Sequence, residues 1–454
     1  MAAPQSRSPE KESTASRNGG MPKAQNTPFR HLSLPPIAET GPTAPYTRIL
    51  HLAPGTADKE PLKGHIEIVN AKNAPAYEAL SYTWGEEEAL DDLWIGGVLL
   101  PIKPNLAAAL RSLRFPTQAR KLWIDAVCID QASDDERTRQ VRYVRNVYKH
   151  AARVIVWLGE RTTGVDVAFK AAERIARARD LTRPAAADGV SDPAPAKLTP
   201  STLGDLPADA MSHLSELFSR PYFTRSWSVQ EVYASSSAVA RCDDLEMPLS
   251  DLLSSIIVVF SWRDHFEVKT SLGLWCRVAL QREADPAVTP SKVEGSLGSF
   301  LSLLGLTRNM SASDPRDKIF SLLGICNEGL EPVLTTTLVN APANGSRLIQ
   351  SIRRGHVNFY DWCNYMGPNI NCGRPRGVRA DYTRDTVLAY CDLARMLLGE
   401  HPRLLETLNH VQHRGDPEEG PFPSWVPRWF QPTTTSVFPG EFMAGLCKRP
   451  RYQA

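Results

Sequence analysis

The sequence lacks several patterns that mark common chemistries. It contains no G-x-x-x-x-G-K-[ST] loop, no G-x-S-x-G turn and no H-E-x-x-H pair, which argues against a P-loop NTPase, an α/β-hydrolase and a zincin. Its ten histidines form no evident ligand cluster, so we expect no metal site. The net charge is only +2, which argues against nucleic-acid binding through bulk charge.

Paired cysteines and long apolar runs are also missing. None of the eight cysteines sits in a C-x-x-C pair, and several lie in apolar segments. This favours free thiols in a reducing compartment over a disulfide framework or a zinc site. No h-region follows Met1, and the densest apolar run, 256–260, is too short to span a bilayer. We therefore expect a cytoplasmic protein without a membrane span.

Three stretches lack the pattern of a packed domain. Residues 1–44 are rich in Pro and Ser with almost no aromatics, which predicts a disordered arm. Residues 181–206, rich in Ala, Pro, Asp and Ser, predict a flexible insertion. Residues 327–377 show no periodicity and are too long for an ordinary loop. They are either a mobile insertion or a piece foreign to the fold, such as translated non-coding sequence, and the second interpretation is favoured.

The best-defined motif lies in residues 121–159. Leu122–Cys128 has the composition of a buried strand. Ser133 precedes Glu136 by three residues, the S-x-x-E capping box that begins a helix, and the apolar residues that follow recur at helical spacing. Val154–Leu158 is a second apolar run. Two buried strands joined by an amphipathic helix predict a right-handed βαβ unit at the centre of a parallel sheet.

Further elements surround this unit. Strand patterns occur at 48–52, 65–69 and 77–85, and Gly96-Gly97 between two apolar runs predicts a hairpin. Spacing and capping signals predict helices at 105–114, 165–179, 208–219, 249–262, 300–306, 314–324 and 385–398. The predicted fold is α/β: a mostly parallel sheet flanked by helices, preceded by a strand pair and followed by a mainly helical C-terminal region.

Two groups of side chains could carry chemistry. Ser81, Tyr82 and Trp84 follow a predicted strand, and Asp125 lies in the next one. Ligands of open α/β sheets bind at the carboxyl ends of such strands, where Trp84 could stack on a base and Ser81 could meet a phosphate. Farther along the chain, Glu231 shares a face with Trp227 and Phe223 if residues 222–233 are helical.

These motifs together resemble a known family. The segments Tyr77–Gly85, Leu122–Gln131, Glu136–Gly159 and Arg220–Glu231 are similar to the heterokaryon incompatibility (HET) domain of filamentous fungi. Segments 314–324, 379–382 and 423–429 resemble those that often follow it. Tyr222 stands where the family commonly has tryptophan, and 327–377 separates segments that usually lie close together.

The resemblance implies a HET domain at 45–235, with its core at 77–231, and a C-terminal region at 236–454. It implies a role in nonself recognition that ends in programmed cell death. HET domains are distantly similar to Toll/interleukin-1 receptor (TIR) domains, whose sheets are flavodoxin-like. Some TIR domains cleave NAD+ with one glutamate near a W-x-x-x-E pattern. Trp227–Glu231 matches that pattern, so the resemblance makes Glu231 the candidate catalytic residue and NAD+ a substrate rather than a cofactor.

Each candidate residue has a structural alternative. Glu231 could pair with a neighbouring arginine such as Arg225 and only fix a helix on the sheet. Trp84 could be a half-buried core aromatic, and Asp125 could steady the turn that precedes Ser133. The corresponding functional alternatives are a non-catalytic module that signals by self-association under an unknown protein trigger, or a degenerate paralogue. An accessible crevice at Glu231 favours catalysis, whereas a buried salt bridge favours a scaffold.

Overall fold

The structure is a computed structural model that describes residues 29–36, 45–56, 60–88, 90–182, 206–261, 300–325, 379–399 and 426–431, besides Trp275, Val278 and Val411. The insertions expected at 181–206 and 327–377 lie largely or wholly outside the described residues. Within the described part of the chain, no helix is long and apolar enough to cross a membrane.

The described strands form one mixed sheet. In chain order they are β1 (Tyr46–Leu52), β2 (Leu62–Asn70), β3 (Glu78–Ser81), β4 (Asp91–Ile95), β5 (Val98–Ile102), β6 (Arg120–Trp123), β7 (Arg153–Trp157), β8 (Ala238–Cys242) and β9 (Leu245–Pro248). Their spatial order is β5-β4-β2-β1-β6-β3-β7-β8-β9. The predicted strand pair before the core is confirmed, since β1 and β2 are antiparallel along their length.

A block of four parallel strands, β6-β3-β7-β8, occupies the centre of this sheet. Numbered along the chain, these strands have the order 2-1-3-4. The predicted βαβ unit exists, but its two strands are not neighbours, because β3 lies between β6 and β7. Outside the block, β2 and β4 are also parallel and the other neighbouring pairs are antiparallel. The sheet is therefore mixed, with the predicted parallel strands at its centre.

The helices are α1 (Pro104–Leu113), α2 (Asp125–Cys128), α3 (Asp134–His150), α4 (Thr163–Thr182), α5 (Ala210–Phe218), α6 (Ser226–Ala234), α7 (Leu249–Ser261), α8 (Phe300–Thr307), α9 (Asp317–Leu323) and α10 (Thr386–Gly399). Short 3-10 turns occupy Ala71–Asn73 and Pro221–Thr224. Every helix predicted from spacing is present, with ends shifted by a few residues.

The helices cover both faces of the sheet. Alternating strand residues point to opposite sides, so Ala79 belongs to one core cluster and Leu80 to the other. The face of Leu80 is covered by α1, through Leu106 and Leu110. The face of Ala79 is covered by α3 to α7, which form the larger cluster together with residues of α8 to α10. The result is a three-layer α/β architecture.

Three local expectations are corrected. The strand expected at 77–85 ends at Ser81, and a loop runs on to Gly85 with φ +83°. The strand expected at Leu122–Cys128 ends at Trp123, because the chain turns into α2 and the amides of Val127 and Cys128 bond to the Ile124 carbonyl. Asp125 is therefore the first residue of a short helix, not a strand residue.

The start of α3 differs in detail from the predicted capping box. Ser133 accepts the amide of Glu136, as expected, but the Glu136 carboxylate does not complete the box. It accepts instead from Arg48 at 2.5 and 3.0 Å and from the Asp130 amide at 2.8 Å. Arg48 also donates to the Leu32 carbonyl at 2.5 Å. Residues 29–36, inside the arm expected to be disordered, thus contact the domain.

Candidate functional site

A cleft of 1290 Å³ opens at the carboxyl ends of the parallel strands. The loop after β3, the end of β7 and helix α2 form one side, through Thr83, Trp84, Trp157 and Asp125. Such crevices are where ligands of open α/β sheets bind. Four of the five predicted site residues, Ser81, Trp84, Asp125 and Glu231, lie in or directly against it.

Glu231 lies on α6 with only 3% of its surface exposed, and it still reaches the wall of the cleft. Its Oε1 accepts a hydrogen bond of 2.7 Å from Arg225 Nη1, and its Oε2 accepts one from the hydroxyl of Ser81. Ser81 Oγ lies 2.8 Å from the hydroxyl of Tyr222. The carboxylate is therefore buried in a salt bridge, which was expected for a scaffold, and it also borders a crevice, which was expected for catalysis.

Arg225 joins Glu231 to Asp125. Its Nη2 donates to Asp125 Oδ2 at 3.3 Å, and the indole nitrogen of Trp84 donates to the same oxygen at 3.0 Å. Asp125 Oδ1 accepts the Ala126 amide at 2.8 Å. Asp125 therefore accepts a hydrogen bond from the backbone at the start of α2 and is also linked to the cleft. Its role in steadying the turn before Ser133 stays a prediction. Arg225 thus bridges two carboxylates, Asp125 and Glu231, in a triad beside the cleft.

Burial and charge compete at this triad. Burial raises the pKa of Glu231, and the neighbouring Asp125 adds to the rise, whereas Arg225 and the Ser81 hydroxyl oppose it; the pKa ends above its ordinary value. Burial alone would lower the pKa of Arg225, but Glu231 and Asp125 raise it. The arginine therefore stays charged, and its charge is what favours ionised Glu231.

The aromatic candidates occupy different environments. Trp84 is 39% exposed and lines the cleft, so it is not the core residue that the structural alternative required. Tyr82 is 2% exposed and packs in the core on the α1 face. Burial raises the pKa of Tyr82 well above its ordinary value, and a hydrogen bond with Asp125 adds to the rise. Tyr82 therefore bonds to Asp125 from the core and is not placed to touch a ligand.

The expected stack of Phe223, Trp227 and Glu231 is only partly correct. The helix is interrupted at Arg225, whose extended backbone (φ −79°, ψ 127°) separates a 3-10 turn from α6. Phe223 belongs to the turn, is fully buried, and packs edge-on against Phe218 and Trp275. Trp227 is the aromatic that shares α6 with Glu231.

The opposite wall of the cleft comes from residues beyond 300 and was not predicted. Ser311 pairs with the backbone beside Arg225: its amide donates to the Thr224 carbonyl at 2.5 Å, and its carbonyl accepts from the Ser226 amide at 2.9 Å. Asp314, Asp317 and Tyr382 follow along this wall. Arg137 of α3 stacks over the Tyr382 ring at 3.8 Å. No sequence signal links these segments to α6, which ends at Ala234, whereas the wall begins near Ser311.

The described residues offer no cluster of metal ligands. Within the described part of the chain, no group of three or more His, Cys, Asp or Glu side chains is arranged to hold a metal ion. The cysteines that the structure describes, Cys128, Cys242 and Cys391, are buried free thiols. Burial raises the pKa of Cys128 to about 12, so this thiol is packed rather than nucleophilic.

These features define an α/β protein whose cleft, at the carboxyl ends of parallel strands, contains a buried carboxylate held by an arginine. Residues 77–231 match the family model for heterokaryon incompatibility protein (HET). Over 440 residues the chain is 22% identical to heterokaryon incompatibility protein 6, OR allele, of Neurospora crassa, which covers 85% of this chain. The chain spans 58% of that relative's length. No solved structure matches it.

Proposed function

We propose that this chain acts in fungal heterokaryon incompatibility, as an effector of programmed cell death after nonself recognition, and that its HET domain hydrolyses NAD+ through Glu231. The observation that carries the proposal is the position of Glu231: a buried carboxylate bordering a 1290 Å³ cleft at the carboxyl ends of β3 and β7. Match to the HET family and similarity to the Neurospora crassa protein support the biological role.

Strand order supports a flavodoxin-like, distantly TIR-like fold for the core. The parallel block has the order 2-1-3-4, which agrees with the first four strands of the flavodoxin-like order 2-1-3-4-5. In a flavodoxin-like sheet the order in which strands are added reverses between the first and third strands, and nucleotides bind at that switch point. The corresponding strands here are β3 and β7, whose ends border the cleft.

The chemistry of N-glycosidic cleavage suits this arrangement. As the bond between ribose and nicotinamide breaks, positive charge develops on the ribose, and a carboxylate fixed in a water-poor site stabilises it. Arg225 keeps Glu231 oriented through a 2.7 Å hydrogen bond. Trp84, 39% exposed at the mouth of the cleft, offers a face on which a base can stack. Ser81 is bonded to Glu231, so it positions the carboxylate and is not free to meet a phosphate.

One observation favours the rival function. Each oxygen of Glu231 already has a partner, Arg225 or Ser81, which is what a structural carboxylate requires. In this alternative the domain signals by self-association without catalysis, or the chain is a degenerate paralogue. For catalysis, the ribose must reach Glu231 beside these two bonds, which is open to it because each carboxylate oxygen can accept more than one hydrogen bond. We also propose self-association, an as yet unidentified protein trigger, and a cytosolic site of action, which the free thiols support.

The test measures nicotinamide release from NAD+ by the full chain at high protein concentration, beside Glu231→Gln and a matched control, Glu173→Gln, whose side chain is exposed on α4. Wild type and control should release nicotinamide, and Glu231→Gln should lose at least about 100-fold. Thermal melting must show that Glu231→Gln is folded. If wild type kills fungal cells without consuming NAD+, the catalytic proposal fails and the self-association module replaces it.

A further inference from the structure

Among the described residues, seven carboxylates line the cleft, and most of them are already engaged or exposed. They are Glu86, Glu87, Asp125, Glu160, Glu231, Asp314 and Asp317. The side chains of Glu86, Glu87 and Glu160 are exposed to water. Asp125 and Glu231 are held by Arg225. The remaining two, Asp314 and Asp317, come from the wall built by the C-terminal region, outside residues 77–231 that match the HET family.

Asp314 and Asp317 differ in what holds them. The guanidinium of Arg316 donates to both oxygens of Asp314, with bonds of 2.7 to 3.2 Å. The backbone amide of Arg316 adds another bond at 2.9 Å. Burial would raise the pKa of Asp314, but these bonds lower it, which makes the carboxylate a weak base. Asp317 has no such clamp: Tyr382 donates to its Oδ1 at 2.5 Å, and the indole of Trp227 is a second neutral donor. Burial raises the pKa of Asp317.

Asp317 is also tied to Glu231 through α6. Trp227 lies four residues before Glu231, so the two side chains share one face of the helix, about one turn of 5.4 Å apart. Trp227 contacts Asp317, and the charge of Arg225 acts on both carboxylates. The pairing of Ser311 with Thr224 and Ser226 fixes the C-terminal wall against this helix. Two oriented carboxylates therefore face one cleft from different regions of the chain.

We propose that Asp317 is the general base of the site, which takes a proton from the water that attacks the ribose. The inference rests on the NAD+ hydrolysis proposed above. The C1′–N bond breaks and its electron pair leaves with nicotinamide, which needs no proton. The water oxygen forms the new bond to C1′, and the proton it loses passes to the Asp317 carboxylate. Glu231 stabilises the charge on the ribose, so the two carboxylates have separate roles.

The experiment is rescue by azide, an anionic nucleophile that needs no deprotonation. We measure nicotinamide release and the ADP-ribosyl product for the full-length wild type, Asp317→Asn, Asp317→Ala and Glu231→Gln. Asp135→Asn, an exposed carboxylate of α3, is the control. Loss of a general base is expected to lower hydrolysis by about 10²- to 10⁴-fold. Excess azide should restore nicotinamide release in the Asp317 variants and yield ADP-ribosyl azide, while Glu231→Gln stays inactive.

The outcomes separate this inference from the proposed function. If wild type is active and Asp317→Asn keeps its rate, the general-base role is wrong and NAD+ hydrolysis stands. A rate that is lost in both Asp317 variants and not restored by azide also overturns it, because Asp317 would then only support the fold. Asp317→Asn keeps an acceptor for Tyr382 and so guards against misfolding in the alanine variant. If wild type releases no nicotinamide, both proposals fail together.

Discussion

Arg225 Nη1 lies 2.7 Å from Glu231 Oε1, and both side chains are largely buried, with 18% and 5% of their surfaces exposed. An ion pair withdrawn from solvent is costly to assemble, because both charges lose hydration. It persists here because Ser81 and Asp125 supply further partners. The pair thus holds a charged carboxylate at the edge of a cleft.

Removing Arg225 should destabilise the protein in a pH-dependent way. Arg225→Ala leaves Glu231 buried without its cation, a change that typically costs about 3–5 kcal/mol. Because burial already raises the pKa of Glu231 and Arg225 opposes the rise, the variant's carboxyl should bind a proton more readily. Part of the loss at pH 7 should therefore be regained at pH 5.

Urea unfolding at the two pH values checks this. The matched control is Arg177→Ala, which breaks a surface pair with Glu173 whose side chains are 73% and 54% exposed. Such a pair contributes at most about 1 kcal/mol, so this control should unfold almost as wild type does. Equal losses for the two variants would show that Arg225 does not hold a buried charge.

The Arg48–Glu136 pair should make the protein acid-sensitive. Burial alone would raise the pKa of Glu136, but Arg48 and the Asp130 amide lower it from its ordinary value of 4.5. A carboxyl with a lowered folded-state pKa stabilises the fold above its unfolded pKa, and this contribution is lost as pH falls through the folded value.

Wild type should therefore lose stability as the pH drops below 4.5, and Glu136→Gln, already weakened at pH 7, should lose less over the same interval. Thermal melting from pH 6 to pH 3 gives the comparison, with Asp135→Asn as a neighbouring exposed control on α3. Parallel melting curves for wild type and Glu136→Gln would contradict the assignment.

Local patterns predicted the fold well because they are short-range. The helical spacing after Ser133 and the Gly96-Gly97 turn, whose φ values are +58° and +88°, each depend on a few adjacent residues. The end of the strand at Trp123 was missed, because Ala126, Val127 and Cys128 look equally apolar in a strand or in a buried helical turn. The position of β3 between β6 and β7 was also missed, since pairing of distant strands leaves no local mark.

The candidate site was predicted only where a motif carried it. Glu231, Trp84 and Asp125 do face one cleft, and the pairing of Glu231 with Arg225 was foreseen as an alternative. Asp317 and Tyr382 were not foreseen, because they reach the cleft through tertiary contacts alone. Tyr82 lies close in sequence to Ser81 and Trp84, but its side chain packs in the core between the sheet and α1.

Trp84 should contribute to binding through its ring more than through its N–H. Trp84→Phe keeps an aromatic face and loses the 3.0 Å bond to Asp125, whereas Trp84→Ala loses both. Stacking of a base on an aromatic side chain contributes about 1–3 kcal/mol. In a Glu231→Gln background, which prevents turnover, calorimetry should therefore show NAD+ affinity about tenfold weaker for Ala and little changed for Phe. Equal NAD+ affinities for the alanine and tryptophan forms would show that Trp84 does not take part in binding NAD+.

Ser81→Ala should shift the acid side of the pH profile. The Ser81 hydroxyl donates to Glu231 and lowers its pKa, acting with Arg225 and against burial and Asp125. Without that donor the pKa of Glu231 rises, so the ionised form is reached only at higher pH. If ionised Glu231 stabilises the ribose, the acid limb of NAD+ hydrolysis should move to higher pH, while the rate on the alkaline plateau changes little.

The matched variant for Ser81 is Tyr222→Phe. Tyr222 also bonds to Ser81, at 2.8 Å, and its loss leaves in place the Ser81 hydroxyl that donates to Glu231. Its removal should leave the acid limb close to that of wild type. If Ser81→Ala lowered the rate equally at every pH, Ser81 would be needed only to shape the cleft. A shift of the limb with an intact plateau instead ties the hydroxyl to the charge of Glu231, because the Ser81 hydroxyl bonds to that carboxylate and its loss changes the pKa of Glu231.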